Sequence, residues 1–332
     1  MGKLQSMERK IAMCLYGKLI KNPKYRANKK NGGIAPVLHD PDFEYIEAGC
    51  GKCIECCKQR ANGWKVRLAE EIKWNKNECQ FVTLTFNEEY LQELTERIKR
   101  DEQQGKVKLE KKIEENEIAR RAVRLFLERI RKATKKSVRH WLVTELGETN
   151  GRIHLHGLMW CERELIEKYW KYGHVFIGTH ATEQTINYII KYITKTDNKH
   201  KGFTPKIMTS AGIGKDYIKN GLGKQNEFKG EDTRDYYRDR KGYKTALPYY
   251  YRNKIYSEEE KEALWKAKIE KGDRYVCGEK VTDDTIVNIK KYYQEKNKRM
   301  GFGDDSEEWS VMYYKLTKKK EKQRKNNKMT DD

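Results

Sequence analysis

The chain lacks any apolar segment approaching the roughly 18 residues that a membrane-spanning helix requires. It also lacks a recognisable secretory signal, since its first residues read Met-Gly-Lys-Leu-Gln-Ser. No internal repeat is visible along the 332 residues. These absences argue against a membrane protein, a secreted protein and a repeat architecture. We therefore expect a soluble cytoplasmic protein.

Acidic residues are few relative to basic ones, with 50 Asp and Glu against 71 Lys and Arg and a formal net charge of +21. Such a charge attracts polyanions and accelerates encounter with them. The 21 tyrosines and 7 tryptophans supply ring faces on which unpaired bases can stack. Hydrophobic residues make up only 37%, but a chain of this length can still bury the core of one large or two small domains. The composition predicts a nucleic-acid partner, although solvated surface lysines explain part of the charge.

A metal-ligating hairpin is predicted around Asn150-Gly151, a dipeptide typical of two-residue turns. With that turn, Glu145 lies opposite His156, and His154 points to the same side of the hairpin because side chains alternate along a strand. Two imidazoles and a carboxylate suit Mg²⁺ or Mn²⁺ better than a closed zinc site. A longer loop would put Glu148 in place of Glu145. The alternative is a half-buried strand whose histidines are satisfied by hydrogen bonds.

The segment Tyr188-Ile-Ile-Lys191-Tyr192-Ile-Thr-Lys195 repeats tyrosine and lysine at helical spacing. Residues three and four apart share one helix face, so both phenols and both ammonium groups crowd one surface. A phenol pKa near 10 leaves about 0.1% phenolate at pH 7, and neighbouring cations favour that form. Two adjacent nucleophiles indicate a reaction performed twice. The alternative is an ordinary solvated helix surface.

Eight cysteines in a cytosolic chain indicate free thiols or metal ligands and not disulfides. Four of them stand in Cys50-Gly-Lys-Cys53-Ile-Glu-Cys56-Cys57, and Cys14 lies earlier. The first three thiols of this run can surround a soft metal, and Cys14 or Cys57 could complete a tetrahedral zinc site. A reduced, partly buried cysteine cluster is the alternative.

The remaining patterns predict an α+β fold. Helices are predicted at residues 54–75, 122–132, 162–172 and 181–196, and strands at residues 81–86, 138–145, 153–160 and 174–178. Thr182 is the predicted N-cap of the tyrosine helix, and Ser257-Glu-Glu-Glu260 is a predicted capping box for a helix reaching about residue 270. The charged residues 87–117 are predicted to form two solvated helices or a mobile insertion. This order gives helices packed on a mostly antiparallel central sheet.

Three motifs make the chain resemble an HUH-superfamily rolling-circle replication initiation endonuclease. Phe81-Val-Thr83-Leu-Thr85-Phe86 is similar to the family's first motif, His154-Leu155-His156 to its metal motif, and Tyr188 to Lys195 to its two-tyrosine motif. Ala211-Gly-Ile-Gly214 and Leu247-Pro-Tyr-Tyr-Tyr251 resemble the initiators of single-stranded DNA phages of the microvirus, gokushovirus-like group. The resemblance spans roughly residues 10–255.

The resemblance implies a ferredoxin/RRM-like HUH core that nicks and rejoins single-stranded DNA at a replication origin. It implies Mg²⁺ or Mn²⁺ bound by Glu145, His154 and His156, attack by Tyr188 or Tyr192 to form a 5′-phosphotyrosine link, and Lys191 and Lys195 beside the phosphate or phenolate. It further implies a host helicase and polymerase as partners in the cytoplasm of a bacterial host. The order in which the tyrosines act, the choice between the two ions and the oligomeric state stay open.

On this basis the chain is predicted to divide into four segments. Residues 1–75 form a Cys-rich region, residues 76–200 the HUH nuclease core with an insertion at 87–117, and residues 201–256 a DNA-contacting extension in loops. Residues 257–332 form a helical, basic region with a disordered tail at 318–328. The run Tyr249-Tyr250-Tyr251 is predicted either to stack bases or to pack in the interior.

Two other classes of protein fit part of the sequence. A plasmid replication protein or mobilisation relaxase uses similar chemistry, but relaxases often place the tyrosine ahead of the histidines. A non-enzymatic, zinc-stabilised protein that binds single-stranded nucleic acid explains the charge, the aromatics and the cysteines. It leaves the carboxylate of Glu145 opposite the histidines unexplained. Metal-dependent nicking separates the enzymes from the binding protein.

Overall fold

The computed structural model describes residues 14–28, 31–38, 44–75, 79–105, 115–147, 151–178, 181–195, 203–272, 274–282 and 284–304. These residues group into two compact units, one made of residues 60–266 and the other of residues up to 59 and from 267 onward. Each unit has its own buried hydrophobic clusters. The four-segment division predicted from the sequence stays a prediction.

The strands and helices are numbered here in chain order. The strands are β1 Lys18–Lys21, β2 Tyr45–Ala48, β3 Cys79–Leu84, β4 Arg139–Leu146, β5 Ile153–Trp160, β6 Val175–Ile177, β7 Ile207–Thr209, β8 Tyr236–Arg238, β9 Lys244–Ala246, β10 Tyr275–Val276 and β11 Glu279–Lys280. The α-helices are α1 Ile54–Trp74, α2 Glu88–Gln103, α3 Glu115–Thr134, α4 Arg163–Tyr169, α5 Glu183–Thr194, α6 Asp216–Lys219, α7 Tyr249–Ile255, α8 Glu258–Glu270 and α9 Ile286–Arg299.

The centre of the larger unit is a five-stranded sheet with the spatial order β6-β3-β5-β4-β7. All four strand pairs in it are antiparallel. Strands β4 and β5 approach closely at Gly157, where an added Cβ would collide with the carbonyl of Trp141. The predicted α+β fold with a mostly antiparallel sheet is confirmed.

Helices cover both faces of this sheet because each face presents buried apolar side chains. On one face Leu84 belongs to a cluster with Phe126 of α3. On the other face Trp141 packs with Leu68 of α1 and Ile189 of α5. Each large apolar side chain buried in this way contributes about 1.5–3 kcal/mol relative to exposure. The second face, under α1 and α5, is the face to which β4 and β5 direct the candidate metal ligands.

Helix α1 is tied to the sheet by a carboxylate with no solvent exposure. Glu71 forms an ion pair with Arg139 of β4 and accepts a hydrogen bond of 2.6 Å from the backbone N–H of Gly214. Removing one partner of a buried ion pair typically costs about 3–5 kcal/mol. Gly214 has a φ of +75°, and an added Cβ would lie 2.7 Å from the carbonyl oxygen of Arg67. This contact explains why the segment from Ala211 needs glycine at Gly214.

Two helix starts agree with the capping patterns in the sequence. The Thr182 hydroxyl caps α5 by accepting a hydrogen bond from the Thr185 backbone N–H, and the Thr185 hydroxyl accepts one from the Thr182 backbone N–H. Ser257 and Glu260 form the reciprocal pair that opens α8. The predictions of both caps are confirmed.

The charged segment at residues 87–117, predicted to form two solvated helices or a mobile insertion, is partly buried where the structure describes it. Helix α2 is amphipathic, and its Leu94 and Ile98 are buried. Helix α3 already begins at Glu115, well before the predicted residue 122, because residues from Ile118 onward also pack against the core. Residues 106–114 lie outside the described residues.

The segment predicted as DNA-contacting loops contains regular elements as well as loops at residues 203–256. This segment contributes the edge strand β7, the β8-β9 hairpin and helix α7. Tyr217, Tyr237 and Tyr251 pack together in a buried cluster, and the Tyr251 hydroxyl donates to the carbonyl of Gly214 at 2.8 Å. Of the three consecutive tyrosines, Tyr251 is therefore interior, whereas Tyr249 is exposed.

The smaller unit contains the short β1-β2 and β10-β11 pairs and helix α9. Its core joins Cys14, Cys53, Val276 and Tyr293. A search of the described residues finds no helix with the length and hydropathy of a membrane span. The predicted disordered tail at 318–328 lies outside those residues.

Candidate functional site

The hairpin that carries the candidate ligands has a different register from the predicted one. Glu145 lies opposite His154, and His156 lies opposite Val143. The Gly147 backbone N–H donates to the Arg152 carbonyl at 2.8 Å, so the chain between the strands is longer than the predicted two-residue turn. The predicted pairing of Glu145 with His156 was wrong by two residues, because the Asn-Gly signal was taken to define the whole turn.

A shift of two residues keeps every side chain on its predicted face, because strand side chains alternate with a period of two. Glu145, His154 and His156 therefore still project from the same face. The predicted alternative ligand Glu148 lies outside the described residues.

His156 is held by contacts on three sides. Its Nε2 lies 2.8 Å from Oε2 of Glu145, and its Nδ1 lies 3.0 Å from the hydroxyl of Thr83, its cross-strand neighbour on β3. Its ring stacks on Tyr192 of α5 with ring centroids 4.4 Å apart and planes inclined by 9°. Thr83 can thus fix the ring's orientation, as a hydrogen-bond partner behind a ligating histidine usually does.

Glu145 bridges His156 and a lysine of the tyrosine helix. Its Oε1 accepts a hydrogen bond of 2.7 Å from Nζ of Lys195. Burial opposes ionisation of this carboxyl, but the hydrogen bonds from His156 and Lys195 outweigh burial and lower its pKa. The carboxylate is therefore charged at neutral pH, which suits a ligand for a hard divalent cation.

His154 is half-buried beside the other two groups, with its ring centroid 6.4 Å from that of His156. Burial lowers the pKa of His154, and the neighbouring His156 lowers it further. The neutral imidazole, which is the ligating form, is thereby favoured. The donor set of one carboxylate and two imidazoles fits a divalent cation.

The two tyrosines face this group from α5. The Tyr192 hydroxyl donates a hydrogen bond of 2.6 Å to the Tyr188 hydroxyl, and the ring centroids lie 5.4 Å apart. Their environments differ, since Tyr192 is 6% exposed and Tyr188 is 42% exposed. Both tyrosines also contact the ring of His156. The two phenols therefore lie side by side on one helix face, as the sequence spacing predicted, and both are adjacent to the candidate ligands.

The two lysines have different positions. Lys195 reaches Glu145, whereas Nζ of Lys191 lies 5.1 Å from the centroid of the Tyr188 ring. An open cleft of about 410 Å³ connects the tyrosines to the candidate ligands. It is lined by Thr83, Thr85, Glu145, Gly147, His154, His156, Tyr188, Tyr192 and Lys195.

Thr83 is the residue of this site whose role the sequence did not indicate. In the sequence, Thr83 is only one residue of the strand motif from Phe81 to Phe86. Its position opposite His156 follows from the pairing of β3 with β5, which cannot be read from either strand alone.

The smaller unit contains a second candidate metal site, made of Cys14, Cys50, Cys53 and Cys56. Their four Sγ atoms all lie within 4.8 Å of one another. The Sγ distances are 3.7 Å from Cys14 to Cys53, 3.9 Å from Cys50 to Cys56 and 3.4 Å from Cys56 to Cys14. Four sulfurs each about 2.3 Å from a tetrahedral zinc would be about 3.8 Å apart. The cluster can therefore bind a structural zinc.

Backbone N–H groups support negative charge on these sulfurs. Those of Tyr16 and Cys50 point to Cys14 Sγ at 3.3 and 3.2 Å, and those of Lys52 and Cys53 point to Cys50 Sγ at 3.4 and 3.3 Å. Hydrogen bonds from Cys14 and then Cys53 lower the pKa of Cys50.

Cys57 is not a member of the cluster. Its Sγ lies 3.5 Å from the carbonyl oxygen of Lys52. Of the two alternatives for the fourth ligand, the structure thus favours Cys14, which β1 and its preceding turn bring to the Cys50 segment. All eight cysteines have free thiols, as the sequence predicted.

Comparison with known proteins adds a family to this geometry. Residues 79–197 match the family model described as replication-associated protein ORF2/G2P. The matched segment runs from β3 past the end of α5, so it contains both histidines, Glu145 and both tyrosines. This segment is therefore similar to replication-associated proteins. No curated protein and no solved structure is significantly similar to the chain.

Proposed function

We propose that the chain is a metal-dependent endonuclease that nicks and rejoins single-stranded DNA during rolling-circle replication of a single-stranded DNA phage. The observation that carries this proposal is the placement of two hydrogen-bonded phenols against His156, in one cleft with Glu145 and His154. The family of the matched segment, replication-associated proteins, supports DNA as the partner.

Glu145, His154 and His156 would hold Mg²⁺ or Mn²⁺. When bound, such an ion supplies positive charge that polarises a phosphate and stabilises the charge developing on it. Binding requires Glu145 to exchange its hydrogen bonds with His156 and Lys195 for the ion. The released Lys195 ammonium is then available to a phosphate oxygen of the DNA.

Tyr188 is the proposed nucleophile of the first cleavage. It is the more exposed phenol, and its oxygen accepts the hydrogen bond from Tyr192. The ammonium of Lys191 lies beside its ring, where it can contact a phosphate oxygen of the strand. Attack on the scissile phosphorus forms a 5′-phosphotyrosine link and releases a 3′-hydroxyl that a polymerase can extend.

Tyr192 is the proposed nucleophile of the second cleavage. Because it lies one helical turn from Tyr188, it can use the same ligand set after the first link has formed. The new 3′-hydroxyl then attacks the first phosphotyrosine and closes a circle. Transesterification conserves the phosphodiester bond energy, so rejoining needs no nucleotide triphosphate.

The test incubates the full chain with a random single-stranded DNA library and Mn²⁺ and isolates covalent protein–DNA adducts. The selected sequences then serve as the cleavage substrate. The variant Tyr188→Phe, Tyr192→Phe should give no adduct, and His156→Ala should lose cleavage while retaining charge-driven DNA binding. A single Tyr192→Phe variant should still form the first adduct. Adduct formation by the double variant would refute the assignment of the nucleophiles.

We also propose that Cys14, Cys50, Cys53 and Cys56 hold a structural zinc ion. Support comes from the sulfur distances, which match a tetrahedral thiolate site, and from the closed nature of a four-cysteine set. The ion would connect the turn at Cys14 with the start of α1.

A further inference from the structure

We infer that Phe176 on β6 is a stacking platform for an unpaired nucleobase of the DNA strand that enters the cleft. The inference rests on the proposed function and deepens it by naming a residue that binds the substrate. It begins from an exposed aromatic side chain. The Phe176 ring is 52% exposed and belongs to none of the hydrophobic clusters, although its neighbour Ile177 is buried.

The position of Phe176 is fixed by strand register. It pairs with Thr83 of β3, and Thr83 pairs with His156 of β5. Directly paired residues project from the same face of a sheet, so Phe176 and His156 stand in one row on the cleft face. Two strand spacings of about 4.8 Å separate them. A base adjoining the scissile phosphate can therefore reach the phenylalanine ring.

A second aromatic ring connects Phe176 to the nucleophile. The Phe81 ring makes edge contacts with Phe176, at 6.4 Å between ring centroids, and with Tyr188, at 5.9 Å. Phe81 lies over Gly178, where an added Cβ would come within 2.8 Å of the ring. The rings of Phe176, Phe81 and Tyr188 thus form a continuous aromatic surface.

Charge around this surface suits a polyanion. Lys191 lies over the Tyr188 ring, and Lys195 directly follows the last residue of α5. Exposed aromatic rings beside cations are how proteins hold single strands without reading sequence, because every base has a face that can stack. When a base stacks on Phe176, the sugar-phosphate backbone of its strand would run along the side of the aromatic surface that carries these lysines.

The experiment measures binding separately from cleavage. The Tyr188→Phe, Tyr192→Phe background keeps both rings but forms no adduct. A fluorescent oligothymidylate of about 15 nucleotides serves as the probe, and its anisotropy gives the affinity. Phe176→Ala should weaken binding about 5- to 150-fold, as expected for the loss of one stacked base. Phe176→Trp should bind at least as tightly as the parent, which also shows that substitution at this position is tolerated.

Two controls make the result specific. Tyr292→Ala removes a ring that is also 52% exposed, on α9, and should leave the affinity unchanged. An oligonucleotide of abasic sites carries the same charge without bases, and Phe176→Ala should not weaken its binding. The inference would be overturned if Phe176→Ala bound oligothymidylate as tightly as the parent. It would also be overturned if Phe176→Ala lost equal affinity for oligothymidylate and for the abasic oligonucleotide, or if the parent did not bind oligothymidylate.

Failure of this inference is distinguishable from failure of the proposed function. If the chain does not cleave DNA but Phe176→Ala still weakens binding of oligothymidylate, the stacking role of Phe176 is supported and the nuclease proposal is refuted. If adducts form on Tyr188 and Phe176→Ala binds oligothymidylate as tightly as the parent, the nuclease proposal is supported and the stacking role of Phe176 is refuted.

Discussion

The cysteine cluster and the histidine cleft are both candidate metal sites, and their donor atoms are held in different ways. Four sulfurs lie together within 4.8 Å, supported by backbone N–H groups from the surrounding turns. The donor atoms of Glu145, His154 and His156 belong to side chains on two neighbouring strands. Glu145 is instead paired with His156 and Lys195.

The difference corresponds to two uses of a metal ion. Structural zinc sites are closed by four protein ligands, whereas catalytic sites keep positions for water and substrate. In the cleft, Lys195 is hydrogen-bonded to the carboxylate that the ion would need, so the lysine and the ion compete for Glu145. A closed thiolate site has no such competitor. The two sites should therefore respond differently to chelators and to substitution of a single ligand.

The largest expected effect is at the cysteine cluster. Cys14→Ser should reduce the zinc content of the purified chain from one per chain to none, whereas Cys57→Ser should leave it at one. Loss of a structural zinc should lower the free energy of unfolding by several kcal/mol, because binding and folding of such sites are coupled. Elemental analysis and chemical denaturation of protein purified without chelator measure both quantities. Equal zinc content in the two variants would contradict the assignment of Cys14.

An intermediate effect is expected at Lys195, which competes with the ion for Glu145. Lys195→Gln removes the ammonium from Glu145, so Mn²⁺ should bind more tightly, by about 10-fold, while nicking slows because a phosphate contact is lost. Isothermal titration with Mn²⁺ and a nicking assay measure the two changes. Lys191→Gln is the matched control, since this lysine does not touch Glu145, and its Mn²⁺ affinity should be unchanged. Weaker Mn²⁺ binding in Lys195→Gln would refute the competition.

The smallest expected effect is at Thr83. Thr83→Val keeps the shape of the side chain but removes the hydrogen bond to His156 Nδ1, which is worth about 1 kcal/mol. Mn²⁺ affinity and the nicking rate should each fall severalfold, and Thr83→Ser should restore both. A Thr83→Val chain with unchanged Mn²⁺ affinity would show that the histidine does not need this partner.

Much of the fold follows from local signals in the sequence. The capping residues Thr182 and Ser257 begin helices where they were expected, and the alternating segments around the histidines form β4 and β5. Tertiary packing decided the rest. The edge strand β7 has only three residues and no pattern of its own, and it forms because β4 offers it unpaired backbone groups.

The candidate site, like the fold, could be predicted from the sequence only in part. Spacing on one helix was enough to bring Tyr188 and Tyr192 together, and the parity of strand positions was enough to put the imidazoles on one face. Contacts between elements were not readable from the chain. The hydrogen bond from Lys195 to Glu145 and the support of His156 by Thr83 depend on how α5 and β3 approach the hairpin.

The register of β4 and β5 restricts how this hairpin can vary. A slip of one strand past the other by two residues would leave the ligating imidazoles in the cleft. A slip by a single residue would instead turn them toward the helices on the opposite face, among Leu84 and Phe126. Hairpin variants with a changed register should therefore keep the site only when the slip is an even number of residues, or when one strand carries a compensating bulge.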